Sequence, residues 1–371
     1  MDILGHDSVI IGVLFDLVFP PPDHWDPQKD VIDGMTLAID EGVDQGLLDR
    51  PIEFVRRDVN GLPRGRSKNV VDAWKELADA GAILIFGPMI TENAVVLREH
   101  VESSGHIPTL SWCGSEDFLG EWCFELSDGS LSEEPFYIAN MIAGSGYRRV
   151  GVCYERSAIG TGYLSYFRQA CDVHGLEIVA TAPIAQTVAD STDTVTTLKA
   201  SNCDAIVHLG FGFGLLRINE ALEKAEWDPP RFMSTAWEGG FLSNEIFASS
   251  KGWIGLEHYD EGNPVGQAVL DRFDARYGRR PEYAYPLYGF DVGNVIVHAL
   301  AYAEPLSPAG VLRGLERVKF LEAASGSAGT RISYGKWKRN GWHGPGYMTA
   351  REVAPDLKST ILRGRYDGPV V

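Results

Sequence analysis

The sequence predicts an α/β fold built as two doubly wound, Rossmann-like lobes. Three observations predict it. The chain has 371 residues, more than one hydrophobic core ordinarily organises. Strand-like and helix-like stretches alternate from Val9 to about Ser111, and a similar alternation starts again near Trp122 and reaches Trp237. Such alternation builds parallel sheets through right-handed crossovers. Lastly, AILIF (82–86) is an apolar run bounded by Gly81 and Gly87, as expected of a strand buried on both faces.

The elements follow in order. SVIIGVLFDL (8–17) is a strand that stops at PPPDHWDP (20–27), because consecutive prolines continue neither a strand nor a helix. Val31, Met35, Leu37, Ala38 and Val43 then share one helical face. IEFVRRD (52–58) is the second strand, and a helix carrying Val70, Trp74 and Leu77 leads into AILIF. Thr91 stands where it can cap the next helix, and IPTLSW (107–112) closes the first series. In the second series RRVGVCYE (148–155), LEIVATAPI, DAIVHLG (204–210) and RFMSTAW (231–237) are strands. Between them lie helices over 160–175, ending at a glycine cap, over STDTVTTLKASN and over LLRINEALEKAE. Residues 263–303 read as two helices separated by a Gly/Pro turn, and SPAGVLRGLERV as one more. Residues 331–344 and 346–354 read as a terminal hairpin and strand.

Composition narrows the function. The net charge of −18 argues against nucleic acid, whose phosphates need a basic face, and against an anionic membrane surface. No apolar run reaches the roughly 20 residues of a membrane span. The first Lys or Arg is Lys29, so no basic region precedes the apolar run 9–15 as in a secretory signal. The expectation is a cytoplasmic chain; the alternative is a periplasmic or cell-surface protein whose signal peptide Met1 replaces. Five cysteines (113, 123, 153, 171, 203) form no CxxC pair and read mainly as buried thiols. The nine histidines are scattered without HExxH or paired Cys/His spacing, so no metal is expected. There is no GxSxG elbow and no Walker loop. Gly210, Gly212 and Gly214 follow a strand, but a GxGxxG starting at 210 would need glycine at Leu215. No cofactor is expected, and a nucleotide-using enzyme is the less favoured alternative.

Four stretches carry a resemblance: SVIIGVLFDL (8–17), ILIFGPMITENA (83–94), IPTLSWCGS (107–115) and RRVGVCYERSAIGTGYLSYFRQACDVHGLEIV (148–179). In their order and spacing the chain resembles, from residue 8 to about 350, the type I periplasmic-binding-protein family. Its relevant branches are leucine/isoleucine/valine-binding proteins and cytoplasmic amide sensors. The resemblance implies two lobes, joined by a three-segment hinge, that close on a small molecule without doing chemistry on it. It implies that 263–303 returns to the first lobe. Crossings are then expected near 116–122, 240–252 and 326–332, with 1–118 plus 252–328 as lobe 1 and 119–251 plus 329–371 as lobe 2. The implied partner is an ABC permease, or a regulatory protein for a sensor; a homodimer is a further option. Some exported members bridge the loop after the second strand to the turn after the third. Here DVNGLPRG (58–65) and FGPMITEN (86–93) contain no cysteine, which favours a reducing compartment.

Ligands of open α/β sheets bind beyond the carboxyl ends of strands, so position selects the candidates. The turn from Gly87 to Thr91, including Met89, offers amides and a hydroxyl to an oxyanion or carbonyl oxygen, unless Thr91 is only a cap. The resemblance puts ligand-contacting hydroxyls at Thr91 and Ser115. It also puts a ligand loop at 111–115, including Cys113, where Trp112 stands in place of the family's small residue or proline. Trp25 matches an aromatic lid or is a packing residue. Tyr154, Ser157 and Ile159 follow one strand end of the second lobe, Phe211 and Phe213 another, and Trp237 and Glu238 the last. Glu238 matches the family's ammonium-binding acid or is a solvated loop carboxylate. Trp25, Trp112, Phe211, Phe213 and Trp237 together suit a ligand with an apolar or aromatic body and one polar head. A branched-chain amino acid is the alternative.

Overall fold

The structure is a computed structural model and describes residues 8–17, 26–185, 189–242, 244–281 and 283–366. The chain divides into two compact units, Met1–Asp128 with His258–Tyr347, and Gly129–Glu257 with Met348–Val371.

Unit 1 is built on five parallel strands: β1 (Val9–Phe15), β2 (Ile52–Asp58), β3 (Leu84–Phe86), β4 (Thr109–Ser111) and β5 (Cys123–Glu125). Their spatial order is β2-β1-β3-β4-β5. The chain therefore turns outward in opposite directions from β1 and β3, and a crevice opens at their carboxyl ends. Helices α1 (Pro27–Asp44), α2 (Ser67–Asp79) and α3 (Thr91–His100) make the crossovers. Asp26 caps α1 by accepting from the Lys29 amide at 3.1 Å, with Pro27 at the first helical position. Val70, Ala73, Trp74 and Leu77 form the buried face of α2. Trp74 anchors that face, its indole N–H donating to Thr109 Oγ1 at 3.0 Å in the core.

Unit 2 carries α4 (Glu134–Gly144), then β6 (Arg149–Glu155), α5 (Ala158–His174), β7 (Glu177–Ile184), α6 (Thr192–Ala200), β8 (Ala205–Leu209), α7 (Leu215–Lys224), β9 (Arg231–Met233), α8 (Asn244–Ser249) and β10 (Trp253–Glu257). Back in unit 1 lie α9 (Pro264–Tyr277), α10 (Tyr285–Ala301), α11 (Pro308–Arg317) and the short pair β11 (Leu321–Glu322) and β12 (Arg331–Ile332). Strands β13 (Thr349–Val353) and β14 (Thr360–Arg365) complete the unit 2 sheet, ordered β14-β13-β10-β9-β8-β6-β7. Its switch point lies between β6 and β8, and the last two strands are antiparallel additions. The predicted glycine cap of α5 is present: Gly175 has φ +65°.

The chain exchanges units after residues 128, 257 and 347, each later than the sequence suggested. The reasons are pairing and packing. β5 was expected in lobe 2 but pairs with β4 in register Thr109↔Cys123. The unforeseen strand β10 pairs with β9 before the second exchange. Residues 329–347 stay in unit 1 because Tyr334 donates to the Glu125 carbonyl at 2.9 Å and Trp342 to the Ser127 carbonyl at 2.8 Å. The strand expected over 231–237 ends at Met233, and tight helical turns follow over Thr235–Leu242.

Candidate functional site

In unit 1 the site grows from the β1/β3 switch point. Gly87 ends β3 with φ +104°, and a Cβ there would lie 2.1 Å from the Leu14 carbonyl, so only glycine lets the turn fold back over β1. The turn then presents the Met89 and Ile90 amides ahead of α3. They are not free for a ligand. The Asp16 carboxylate, at the end of β1, accepts from Met89 N at 2.8 Å, Ile90 N at 3.2 Å and Asn93 Nδ2 at 2.7 Å. Asn93 is itself tied to the loop after β2, its Oδ1 accepting from the Leu62 amide at 3.0 Å. Asp16 is fully buried, and burial pushes its pKa up to about 6 against the opposing effect of those three donors.

The loop after β4 is stitched to the same turn. Ser111 Oγ donates to the Pro88 carbonyl at 2.5 Å and accepts from Cys113 N at 2.9 Å. Thr91 Oγ1 accepts from Gly114 N at 3.4 Å. Met89, Thr91, Trp112, Cys113 and Ser115 are thereby gathered at one edge of the sheet. Thr91 is the first residue of α3 and not its cap; that position is Ile90, which gives no side-chain bond. Ser115 accepts from Asp117 N at 3.3 Å and caps a short turn over 116–118. The Cys113 thiol donates to Glu125 Oε1 at 3.1 Å, and burial beside that carboxyl pushes its pKa up, so it is not a reactive thiolate. Trp112, 3% exposed, is wedged edge-on between Phe86 and Tyr288. It borders a cavity of about 10 Å³ shared with Asp128, His258, Asp291 and Trp342, room for about one water molecule.

In unit 2 the predicted residues divide. Tyr154 and Phe211 are half-buried at the ends of β6 and β8, beside the switch point. Ile159 is buried on α5. Ser157 is the cap of α5, accepting from Gly160 N at 3.0 Å. Trp237 was expected to line the ligand cleft; the structure puts it in the core, fully buried, its indole N–H on the Leu256 carbonyl at 2.7 Å. A Cβ on Gly255 would fall 2.2 Å from its ring, so the strand backbone lies directly on the indole. Glu238 is 4% exposed and engaged with neighbours, which overturns the solvated-carboxylate reading. Trp25 and the side chain of Phe213 lie outside the described residues.

Sequence reasoning missed the buried polar groups. Glu134 accepts from Ser130 N at 3.1 Å, Tyr163 OH at 2.6 Å and the Thr235 hydroxyl, and burial pushes its pKa up to about 7. His208, fully buried in β8, is held down to about 4 by burial, with Nε2 on the Phe211 carbonyl at 3.0 Å. Asp291 on α10 accepts from the Ala324 and Ser325 amides at 2.7 and 2.9 Å. Only Asp16 left a sequence signal, an acid closing an otherwise apolar strand. Among the described residues no cluster of His, Cys, Asp or Glu could hold a metal, and no helix is long and apolar enough to cross a membrane.

A family model described as periplasmic binding protein matches residues 11–343. No curated protein matches the chain. A type 1 periplasmic binding protein from Bordetella pertussis Tohama I is 19% identical, with a TM-score of 0.80 over 96% of this chain and 100% of that one. A leucine binding protein from Thermotoga maritima is 15% identical, with a TM-score of 0.80 over 96% and 98%. A substrate-binding protein from Desulfitobacterium hafniense, in complex with Leu, is 17% identical, with a TM-score of 0.77 over 96% and 100%. At these identities the likeness carries the fold.

Proposed function

The chain belongs to the periplasmic binding protein family, and from that premise we propose that it is the receptor for one small organic solute. Members of this family bind substrates and are not enzymes; we extend the absence of catalysis to this chain. The observation that carries the proposal is the stitched pair of loops at the β1/β3 switch point, with Thr91 and Gly114 hydrogen-bonded and Met89, Trp112 and Ser115 beside them. Such an edge seats a ligand on a few polar groups against an apolar wall. Trp112 takes space that a smaller residue would leave to the ligand, which favours a flat or compact apolar body over a bulky one. With Trp237 in the core, the aromatic preference of the unit 1 seat rests on Trp112.

The working partner in this reading is an ABC permease, or a regulatory protein if the chain works in the cytoplasm. The Thermotoga and Desulfitobacterium relatives, named for or complexed with leucine, make a branched-chain amino acid the second candidate. Native mass spectrometry of freshly purified protein identifies any retained solute, and a thermal-shift screen of amino acids, amides and aromatic acids identifies others. A ligand at 100 times its Kd adds about 2.7 kcal/mol of stability. Small-angle scattering should show the radius of gyration falling on ligand addition if the units close on it. A hit that the protein consumes with turnover would overturn the receptor reading.

A further inference from the structure

The β1/β3 crevice is the place in unit 1 where a ligand carboxylate would be expected to sit. Turn amides ahead of a ten-residue helix point there, and a helix N-terminus favours negative charge. In this chain that place already has its carboxylate. Asp16 reaches across from β1 and takes Met89 N, Ile90 N and Asn93 Nδ2. Thr91, the candidate ligand hydroxyl, is the next residue after the two occupied amides.

From this geometry we infer that Asp16 is a specificity-determining residue that turns the unit 1 seat against carboxylate ligands and selects a neutral or cationic polar head, such as a carboxamide or an amine. The inference rests on the reading of the Thr91 and Ser115 loops as the ligand seat. The physical reason is twofold. The two amides that would neutralise an incoming anion are spent on Asp16. A second carboxylate placed within a few ångströms of the first meets like-charge repulsion in a poorly solvated crevice, worth tenfold or more in affinity at an effective dielectric of about 20. An amide NH2 or an ammonium meets the reverse. It can donate toward the acidic crevice, while Thr91 Oγ keeps its acceptor role toward Gly114 N and its hydroxyl hydrogen for a carbonyl oxygen.

Among the described residues, the groups hydrogen-bonded to the Asp16 carboxylate are uncharged. The groups facing it are the Met89 and Ile90 amides and the Asn93 carboxamide, and its own carbonyl accepts from the Gly61 amide of the loop after β2 at 3.0 Å. With its pKa near 6, the carboxylate is predominantly charged at pH 7.5 and about half protonated near pH 6.

The test uses matched acid and amide probes of the same skeleton on the full chain: phenylacetate with phenylacetamide, 4-methylpentanoate with 4-methylpentanamide, and leucine with leucinamide. Calorimetry at pH 7.5 should find each amide bound at least about tenfold more tightly than its acid. In Asp16→Asn that ratio should shrink about tenfold or more. A second measurement needs no variant. The two simple acids stay ionised above pH 5.5, so the wild-type acid/amide ratio should converge as pH falls from 7.5 to 5.5 and Asp16 takes up its proton. Preference for the acids at pH 7.5, or an acid/amide ratio indifferent to both pH and Asp16→Asn, would overturn the inference. Failure of the receptor reading is distinguishable: neither a co-purified compound nor any probe would then raise the melting temperature of wild type or variant.

Discussion

Two tryptophans and a threonine show what single residues do here. Trp237 and Trp112 look alike in the sequence, each following a strand, yet one is core and the other borders the candidate site. Trp237→Ala should cost on the order of 3–5 kcal/mol of stability, since it removes a fully buried ring and strands the Leu256 carbonyl. Chemical denaturation measures it, and ligand affinity of the folded fraction should stay within about twofold. Thr91→Ala should do the opposite. Among the described residues its hydroxyl makes one long contact, 3.4 Å from Gly114 N, so the apo protein should lose no more than about 0.5–1.5 kcal/mol, while ligand binding weakens by about 0.5–1.5 kcal/mol if the head is neutral. Calorimetry showing unchanged affinity for Thr91→Ala would remove it from the seat. Ser115→Ala is a less clean probe, because Ser115 also caps the turn over 116–118.

At the scale of elements, α1 and α10 pack in close backbone contact. A Cβ on Gly34 would lie 2.2 Å from the Pro286 carbonyl, and one on Gly289 would lie 2.1 Å from the Val31 carbonyl. The helices meet backbone to backbone, and neither carbonyl can yield as a flexible side chain would. Gly289→Ala should therefore destabilise the protein by about 1–3 kcal/mol or more, the cost of overpacking. Gly144, the last residue of α4, has nothing within 4 Å of its would-be Cβ, so Gly144→Ala should be neutral to stabilising by up to ~1 kcal/mol. Thermal unfolding of the pair separates a packing requirement from generic loss of glycine flexibility; equal effects would argue against the close approach. The amphipathic face of α2 and the glycine cap of α5 were legible in the sequence, because both depend on residues within one or two turns. The glycines of α1 and α10 were not, since the two helices lie about 250 positions apart and no local pattern distinguishes a contact glycine from a tolerated one.

For the whole molecule the buried ionisable groups set the response to pH. Glu134 has its pKa raised from 4.5 to about 7. Between those values the folded chain holds a proton that the unfolded chain has released. Its contribution to stability is complete below about pH 4.5 and is lost as pH rises through 7. His208 and His258, lowered by burial to about 4 and about 3, act in the opposite sense, but only once the unfolded imidazoles protonate below about 6.5. From pH 8 down to 6.5 Glu134 therefore takes up its proton in the folded chain, together with the buried Asp16, Asp291 and Glu125, whose pKa values burial also raises. The melting temperature of wild type should rise over that interval, and that of Glu134→Gln should rise less. Calorimetry at several pH values checks it, and parallel profiles for the two proteins would mean that Glu134 is ionised throughout.

The sequence alone determined the α/β class, the doubled series, most strands and the loops beyond their carboxyl ends. Those follow from hydrophobic period, proline and glycine punctuation and capping residues, all read within a few positions. It also carried the family, because the spacing of four such stretches is itself a linear property. Only the tertiary structure decided which polar groups remain for a ligand. Asp16 occupies the Met89 amide 73 positions away, Glu134 the Thr235 hydroxyl 101 positions away, and Tyr334 holds the Glu125 carbonyl across 209. Bonds of this kind from Tyr334 and Trp342 moved the last exchange point, and another, from Trp237 to the Leu256 carbonyl, holds Trp237 in the core. A buried donor or acceptor must find a partner wherever the fold brings one, and sequence separation places no limit on that choice.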